Sequence, residues 1–495
     1  MDEIIAHHIN GEAVYQQNRL IPLHNPATGK IIAHVDCANQ ALIENAVISA
    51  QNAQLTWGKL PAMRRAKILR DFAQKIEKEI DLLAHLITQE HGKTLGDAKA
   101  SIQRGLEILH YHSGIAHQLQ GSFSHQVSSD VHTHTFYQPL GICAGVAPFN
   151  FPVMVPMWMM IPAIACGNAF ILKPSEKAPS ASLQLARWFE ETGLPKGILQ
   201  IIQGDAKTVQ LLLEHPDIKA YTAVGSTKAA HHIYQEATQR GKRAHTFGGA
   251  KNHAVVMPDA PIEHAAHQIV SAAFGSAGQR CMAISAVIAI GDETANRLKA
   301  LMLPLIQNIK VGDGMLPGTD MGPIISLQQK DTLLNDIQIG VHEGAELILD
   351  GRSRSVPNKG YFLGPCLFDH VQAHMQIYQK ELFGPILVML RVNTFDEALN
   401  LLNQHRYGNG GVIFTRSGGY AQQFSERAEC GMIGVNIPIP VPMVAHPFGG
   451  WKQSSFGDRP MHALESIHFY SQQKTVTTTW PQQDENLISF NMPNH

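Results

Sequence analysis

Between residues 140 and 238 the chain alternates short apolar runs with amphipathic stretches, and few architectures accommodate that order. The apolar runs fall at 140–146, 169–172, 198–202 and 218–224, with helix-period stretches between them at 153–166, 180–191, 208–214 and 227–238. Strand, helix, strand, helix at this spacing predicts a parallel sheet covered by helices on both faces. A second series follows, with strand candidates at 254–257, 286–290, 386–392, 411–415 and 433–437 and helices such as 261–274 and 418–428. Two series predict two α/β domains. Ahead of them, 40–57 and 61–113 carry apolar residues every three or four positions, as in Ile68, Leu69, Phe72 and Ile76, and read as helical. The tail, 467–480, is rich in Phe, Tyr, Thr and Val and has no partner strand nearby in sequence. Such a strand pairs with another chain or with a distant hairpin.

One stretch tests the reading of a water-soluble chain. From Val131 to Leu172 there is no Asp, Glu, Lys or Arg. A membrane span needs about 20 uninterrupted apolar residues, whereas Pro148, Asn150, Pro152, Pro156, Pro162, Gly167 and Asn168 break this run. It reads as buried strand, loop, short helix and strand. Over the 495 residues, 44% are hydrophobic and only 16% charged, which excludes a disordered chain. Thirty-nine basic against 41 acidic residues, without like-charge blocks, argue against a nucleic-acid or membrane surface. The six cysteines form no C-x-x-C pair, so a reducing compartment is expected, and residues 1–8 lack the pattern of a secretory signal. A cytoplasmic location is the resulting expectation. The 27 histidines include no H-E-x-x-H and no zinc spacing, so no metal site is expected.

Ligands of open α/β sheets bind beyond the carboxyl ends of strands. Two turns qualify. Lys173-Pro174-Ser175-Glu176 ends one strand with a cation and a carboxylate, and Gly225-Ser226-Thr227 ends another and opens a helix. The free N–H groups there suit a phosphate, but an ordinary helix cap explains either turn equally well. The G-x-G-x-x-G fingerprint is absent. A third feature is Gly275-Ser276-Ala277-Gly278-Gln279-Arg280-Cys281, a cysteine beside an arginine after a small-residue turn. A neighbouring cation lowers a thiol pKa, and the turn lets substrate approach a main-chain N–H. The alternative is an inert buried cysteine.

Together and in order, Pro148-Phe149-Asn150-Phe151-Pro152, Lys173-Pro174-Ser175-Glu176, Gly225-Ser226-Thr227, Gly278-Gln279-Arg280-Cys281 and Glu381-Leu382-Phe383-Gly384-Pro385 resemble the aldehyde dehydrogenase superfamily over roughly Pro26 to Trp480. Gly249-Ala250-Lys251-Asn252-His253, Arg280 before Cys281, Asn436-Ile437-Pro438-Ile439-Pro440-Val441-Pro442 and Phe448-Gly449-Gly450-Trp451-Lys452 are most similar to its CoA-acylating methylmalonate-semialdehyde dehydrogenases. The resemblance implies a Rossmann-like NAD-binding domain over 1–118 and 139–246, and an α/β catalytic domain over 247–450. It also implies a small bridging element over 119–138 and 460–482 that assembles homodimers or homotetramers. It implies Cys281 as nucleophile, and Asn150 with the Cys281 N–H as oxyanion hole. Lys173 and Glu176 would hold the adenosine ribose, Ser226 the pyrophosphate, and Glu381 the nicotinamide ribose, with Phe149 and Phe383 beside the cofactor. Arg280 and Arg104 would bind the carboxylate of a semialdehyde acid. The resemblance implies NAD as cofactor, with coenzyme A as co-substrate.

One position departs from the wider superfamily. Hydrolytic relatives carry a water-activating glutamate where this chain has Phe247, and Phe247-Gly248 is not the usual pair even among CoA-acylating relatives. Water needs a base, whereas a thiol is already a few per cent ionised at neutral pH. The departure therefore predicts CoA as acyl acceptor. Two readings stand beside it: a hydrolytic NAD(P)-dependent dehydrogenase of another aldehyde, and a non-catalytic scaffold of the same fold.

Overall fold

The computed structural model describes residues 3–128 and 130–480. Its largest sheet has eight strands. In spatial order they are Ser455–Phe456, Arg243–Phe247, Ile218–Val224, Ile142–Val146, Ala169–Lys173, Leu199–Ile201, His7–Ile9 and Glu12–Val14. The five inner strands are parallel, in a register that sets Ala223 between Val146 and Thr246, and the edges are antiparallel. A strand covered on both faces is apolar throughout rather than alternating. Ala169–Lys173 shows this, with all five residues buried. The helix Met154–Ala165 is also buried at every position, which accounts for the middle of the charge-free stretch. Among the described residues no helix is long and apolar enough to cross a membrane.

Chain order decides where a ligand can sit. From Ile142–Val146 the chain builds outward through Ala169–Lys173 to Leu199–Ile201, then returns to the other side for Ile218–Val224 and Arg243–Phe247. The two connections leave the sheet in opposite directions and open a crevice between the carboxyl ends of Ile142–Val146 and Ile218–Val224.

The second sheet orders Glu346–Leu349, Cys366–Asp369, Ile386–Val392, Ile284–Ile290, Asn252–Val256, Gly410–Phe414 and Met432–Val435, parallel except for the first pair. Two α/β sheets thus match the expected fold class. A third, antiparallel sheet joins Phe123–Ser128, Val131–Pro139 and Ser471–Thr479.

Three features differ from the expectations or add to them. The tail is not one strand over 467–480: Ala463–Phe469 is a helix and only Ser471–Thr479 is extended, paired with the distant hairpin. Ile467 and Phe469 face the core from that helix, so their apolarity reports burial rather than strand. Helices occupy 40–57 and most of 61–113 as expected, but five short strands precede residue 40, where the sequence set no expectation. The first α/β sheet also takes in Ser455–Phe456, which lies outside the segments expected to build it.

Candidate active site

The crevice is occupied by one cavity of about 450 Å³. Phe149, Asn150, Lys173, Glu176, Ser226, Cys281, Glu381 and Phe383 all line it. Phe149 and Asn150 follow the strand Ile142–Val146, and Lys173 ends the neighbouring strand. The Lys173 ammonium donates to the carbonyl of Gly204 at 2.8 Å and lies 3.3 Å from a Glu176 carboxylate oxygen. Ser226 caps the helix Thr227–Gln239, its hydroxyl accepting from the Ala229 N–H at 3.3 Å. The cap reading of that turn is therefore realised, and the same helix start faces the cavity.

Cys281 reaches the cavity from the second sheet. It follows a tight turn, Gly275–Gly278, in which Ser276 and Ala277 hold φ of 55° and 53°. Left-handed backbone at two successive non-glycine residues is strained, and such strain clusters at functional sites. Gly278 is required there: it has φ 69°, and a Cβ would sit 2.2 Å from the Gly384 carbonyl oxygen. The Cys281 carbonyl accepts from Asn252 Nδ2 at 2.9 Å and from Asn409 Nδ2 at 3.1 Å, which fixes the main chain beneath the thiol. Asn150 Nδ2 donates to the Gln279 carbonyl at 3.1 Å, tying the two loops together.

The electrostatics correct one expectation. Burial pushes the Cys281 thiol up to about 11, with the Glu381 carboxylate adding to the rise. The main-chain N–H groups of Cys281 and Met282, and then Arg280, pull it down by less. Arg280 lowers the thiol in the direction its place in sequence suggested, but by less than burial raises it. Its guanidinium pairs with Asp97 at 2.7 Å and lies against Gly275, where a Cβ would come within 2.5 Å of it. Burial also pushes Glu381 up to about 7, although its Oε1 accepts from the Ala250 N–H at 2.9 Å. The other five cysteines are buried, whereas Cys281 is partly exposed.

Neither arginine lines the cavity of about 450 Å³, but Arg280 lines a small neighbouring one of about 20 Å³ together with Cys281 and Glu381. Arg280 holds Asp97, near the start of the helix Leu95–His112. Arg104, two turns further along that helix, pairs with Glu107 at 2.8 Å and is half-buried. Phe247 ends its strand buried, its ring packed near Phe448 at 6.4 Å and His245 at 5.5 Å, so an aromatic side chain occupies the end of this strand, next to Gly248 of the cavity lining.

Several residues escaped sequence reasoning. Asn252 and Asn409 hold the cysteine loop from 29 and 128 residues away. His91, Lys93 and Asp97 pack behind Asn150 and Arg280. Only pairing across distant segments reveals them. The helix cap at Thr94 signals where the second of their helices starts, but nothing local signals the partner of Lys93.

Known proteins share this fold and much of this sequence. The profile of the aldehyde dehydrogenase family matches residues 14–476. The chain is 45% identical to malonate-semialdehyde dehydrogenase of Pseudomonas aeruginosa, over 97% of both chains. It is 42% identical to malonate-semialdehyde dehydrogenase of Halalkalibacterium halodurans, over 92% of this chain and 94% of that one. Among solved structures, a putative methylmalonate-semialdehyde dehydrogenase of Sinorhizobium meliloti complexed with NAD superposes with a TM-score of 0.97 at 44% identity, covering 98% of this chain and 100% of that one. The methylmalonate-semialdehyde dehydrogenase of Oceanimonas doudoroffii gives 0.96 at 43% identity, covering 97% and 99%. The chain belongs to the aldehyde dehydrogenase family.

Proposed function

We propose that this chain is an NAD-dependent, CoA-acylating dehydrogenase that converts malonate semialdehyde to acetyl-CoA, or methylmalonate semialdehyde to propionyl-CoA, with loss of the carboxylate. The observation that carries the reading is one cavity holding Cys281, Asn150, Lys173, Glu176, Ser226 and Glu381, beside a buried Phe247 where a water-activating carboxylate would stand. The names of the relatives support the same substrates.

The cavity suits a dinucleotide. It lies at the point where strand order reverses, which is the usual nucleotide position in such sheets. The helix start at Ser226 offers N–H groups to a pyrophosphate. The Lys173 and Glu176 pair offers both a donor and acceptors to ribose hydroxyls. Glu381 offers acceptors at the other end, and Phe149 and Phe383 meet edge to face at 5.9 Å beside it. When bound, NAD supplies the hydride acceptor. A carboxylate at Glu176 repels a 2′-phosphate, which favours NAD over NADP.

Cys281, once deprotonated, adds to the aldehyde carbon. The Asn150 amide and the Cys281 N–H are our candidates for stabilising the resulting alkoxide. Hydride loss leaves a thioester on Cys281. A β-carboxylate on that acyl group departs as CO2, because the thioester carbonyl accepts its electrons, and the enolate so formed takes up a proton at its α-carbon. The cavity lacks a carboxylate at position 247 to activate water, so the thiol of CoA takes the acyl group. Arg280 and Arg104 remain our candidates for the substrate carboxylate. The segments 1–118 and 139–246, 247–450, and 119–138 with 460–482 are proposed as cofactor, catalytic and oligomerisation units. The outer strands of the hairpin sheet present open edges among the described residues, which supports dimer or tetramer assembly. A cytoplasmic location is proposed on the cysteine pattern. The test is NADH formation from each semialdehyde with and without CoA. CoA-dependent turnover is expected, and full turnover without CoA would return the reading to a hydrolytic enzyme.

A further inference from the structure

We propose that Lys93 is a positioning residue of the oxyanion hole, whose ammonium clamps the main chain of Asn150 and thereby aims the Asn150 amide at the substrate carbonyl. The inference rests on the roles proposed above for Cys281 and Asn150. Lys93 lies between the helices Ile80–His91 and Leu95–His112 and is 1% exposed. Its Nζ donates to the Asn150 carbonyl at 2.7 Å. The same ammonium stands 4.2 Å from the centre of the Phe151 ring. The Lys93 N–H donates to His91 Nδ1 at 3.2 Å, and the His91 ring stacks on Phe149 at 5.8 Å. Residues 91–93 therefore hold all three of Phe149, Asn150 and Phe151. On its other side Asn150 is tied to the cysteine loop through Gln279. Gln279 is itself fixed, accepting from the Ile325 N–H at 3.0 Å.

A buried ammonium is a costly way to satisfy one carbonyl. Burial pulls Lys93 down to about 8, with Asp97 partly restoring it, while Arg280 and Cys281 complete the charged or titratable groups around it besides His91. A neutral donor would hold the loop at lower cost. A cation there strengthens the hydrogen bond to Asn150 roughly twofold over a neutral one, and orientation at an oxyanion site is worth more than stability alone.

The experiment is a double-mutant cycle on the full chain, using Lys93→Met, Asn150→Ala and the pair, with NAD and CoA. Turnover is read with malonate semialdehyde and with propanal, so that a wrong substrate assignment shows as inactivity of the wild type on the first alone. Lys93→Met is expected to lower kcat on the order of tenfold to a hundredfold, with KM for NAD and the alkylation rate of Cys281 changed less than about twofold. In the Asn150→Ala background the same substitution is expected to cost nothing further, because coupled residues do not add. A kcat retained in Lys93→Met, or losses that add in the double variant, would overturn the proposal. Should Lys93→Met not fold, Lys93→Arg carries the same comparison. It keeps the charge and moves the donors, so a smaller loss, again absent beside Asn150→Ala, is expected.

Discussion

Replacing Arg280 by Leu separates two roles that its position allows. Arg280 Nη2 lies 2.7 Å from Asp97, and both side chains are about four-fifths buried, with exposures of 21% and 16%. The second Asp97 carboxylate oxygen is buried without a partner. The guanidinium has five donors, of which Asp97 engages one end, leaving others for a substrate carboxylate. A charge-assisted hydrogen bond is worth about 1.5–3 kcal/mol, which corresponds to roughly tenfold to a hundredfold in kcat/KM. Arg280→Leu should therefore lower kcat/KM for malonate semialdehyde by that factor and spare propanal. The substitution also strands the Asp97 carboxylate in the interior, at a stability cost of about 3 kcal/mol. Soluble yield and the midpoint of thermal unfolding must accordingly be measured beside the kinetics. Arg280→Lys keeps the charge and loses the fork, and should fall between wild type and Arg280→Leu. The assay follows NADH with both aldehydes at saturating NAD and CoA. Equal losses for charged and neutral aldehydes would refute the assignment of Arg280 to the carboxylate.

Three further outcomes follow from the geometry. Burial that pushes the Cys281 thiol up to about 11 predicts that its alkylation by iodoacetamide accelerates as pH rises above the ordinary thiol range, and a plateau reached below about pH 8 would contradict that. The Glu176 carboxylate beside Lys173 predicts a kcat/KM for NAD at least roughly tenfold above that for NADP, and a preference for NADP would exclude the ribose contact. Burial raises Asp369, but hydrogen bonds from Arg391 and Lys299 outweigh it and hold the carboxyl at about 2. That stabilisation is complete above the ordinary carboxyl range near pH 4 and is lost as pH falls toward 2. Asp369→Asn should therefore lower the unfolding midpoint most at neutral pH, with the difference from wild type shrinking in acid.

The sequence disclosed the site better than it disclosed the edges of the fold. Strands such as Ala169–Lys173 and Ile218–Val224 are buried on both faces, so their composition alone marks them. The short strands His7–Ile9 and Glu12–Val14 are defined by pairing to one edge of the sheet, which no local pattern records. Ile467 and Phe469 were misassigned because buried helix and buried strand share the same apolar residues, and only the contact to the core separates them. Motifs at strand ends located Lys173 and Ser226, and the small-residue turn after a helix located Cys281, since turn chemistry is local. The ionisation of Cys281 was not legible, because burial in the folded chain and the distant Glu381 carboxylate raise the thiol by more than the adjacent Arg280 lowers it. Lys93 shows the same limit from the other side. Its carbonyl partner lies 57 residues away, and only the folded chain brings them together.

The central claim is that Cys281 carries a decarboxylated acyl group that waits for a thiol. A single turnover with malonate semialdehyde and NAD, without CoA, tests it by intact mass and peptide mapping. The account predicts one acetyl group on the peptide containing Cys281, persisting in buffer and removed when CoA is added, with acetyl-CoA as the product. Rapid loss of the group in buffer alone, retention of the carboxylate as a malonyl adduct, or labelling of another residue would contradict it.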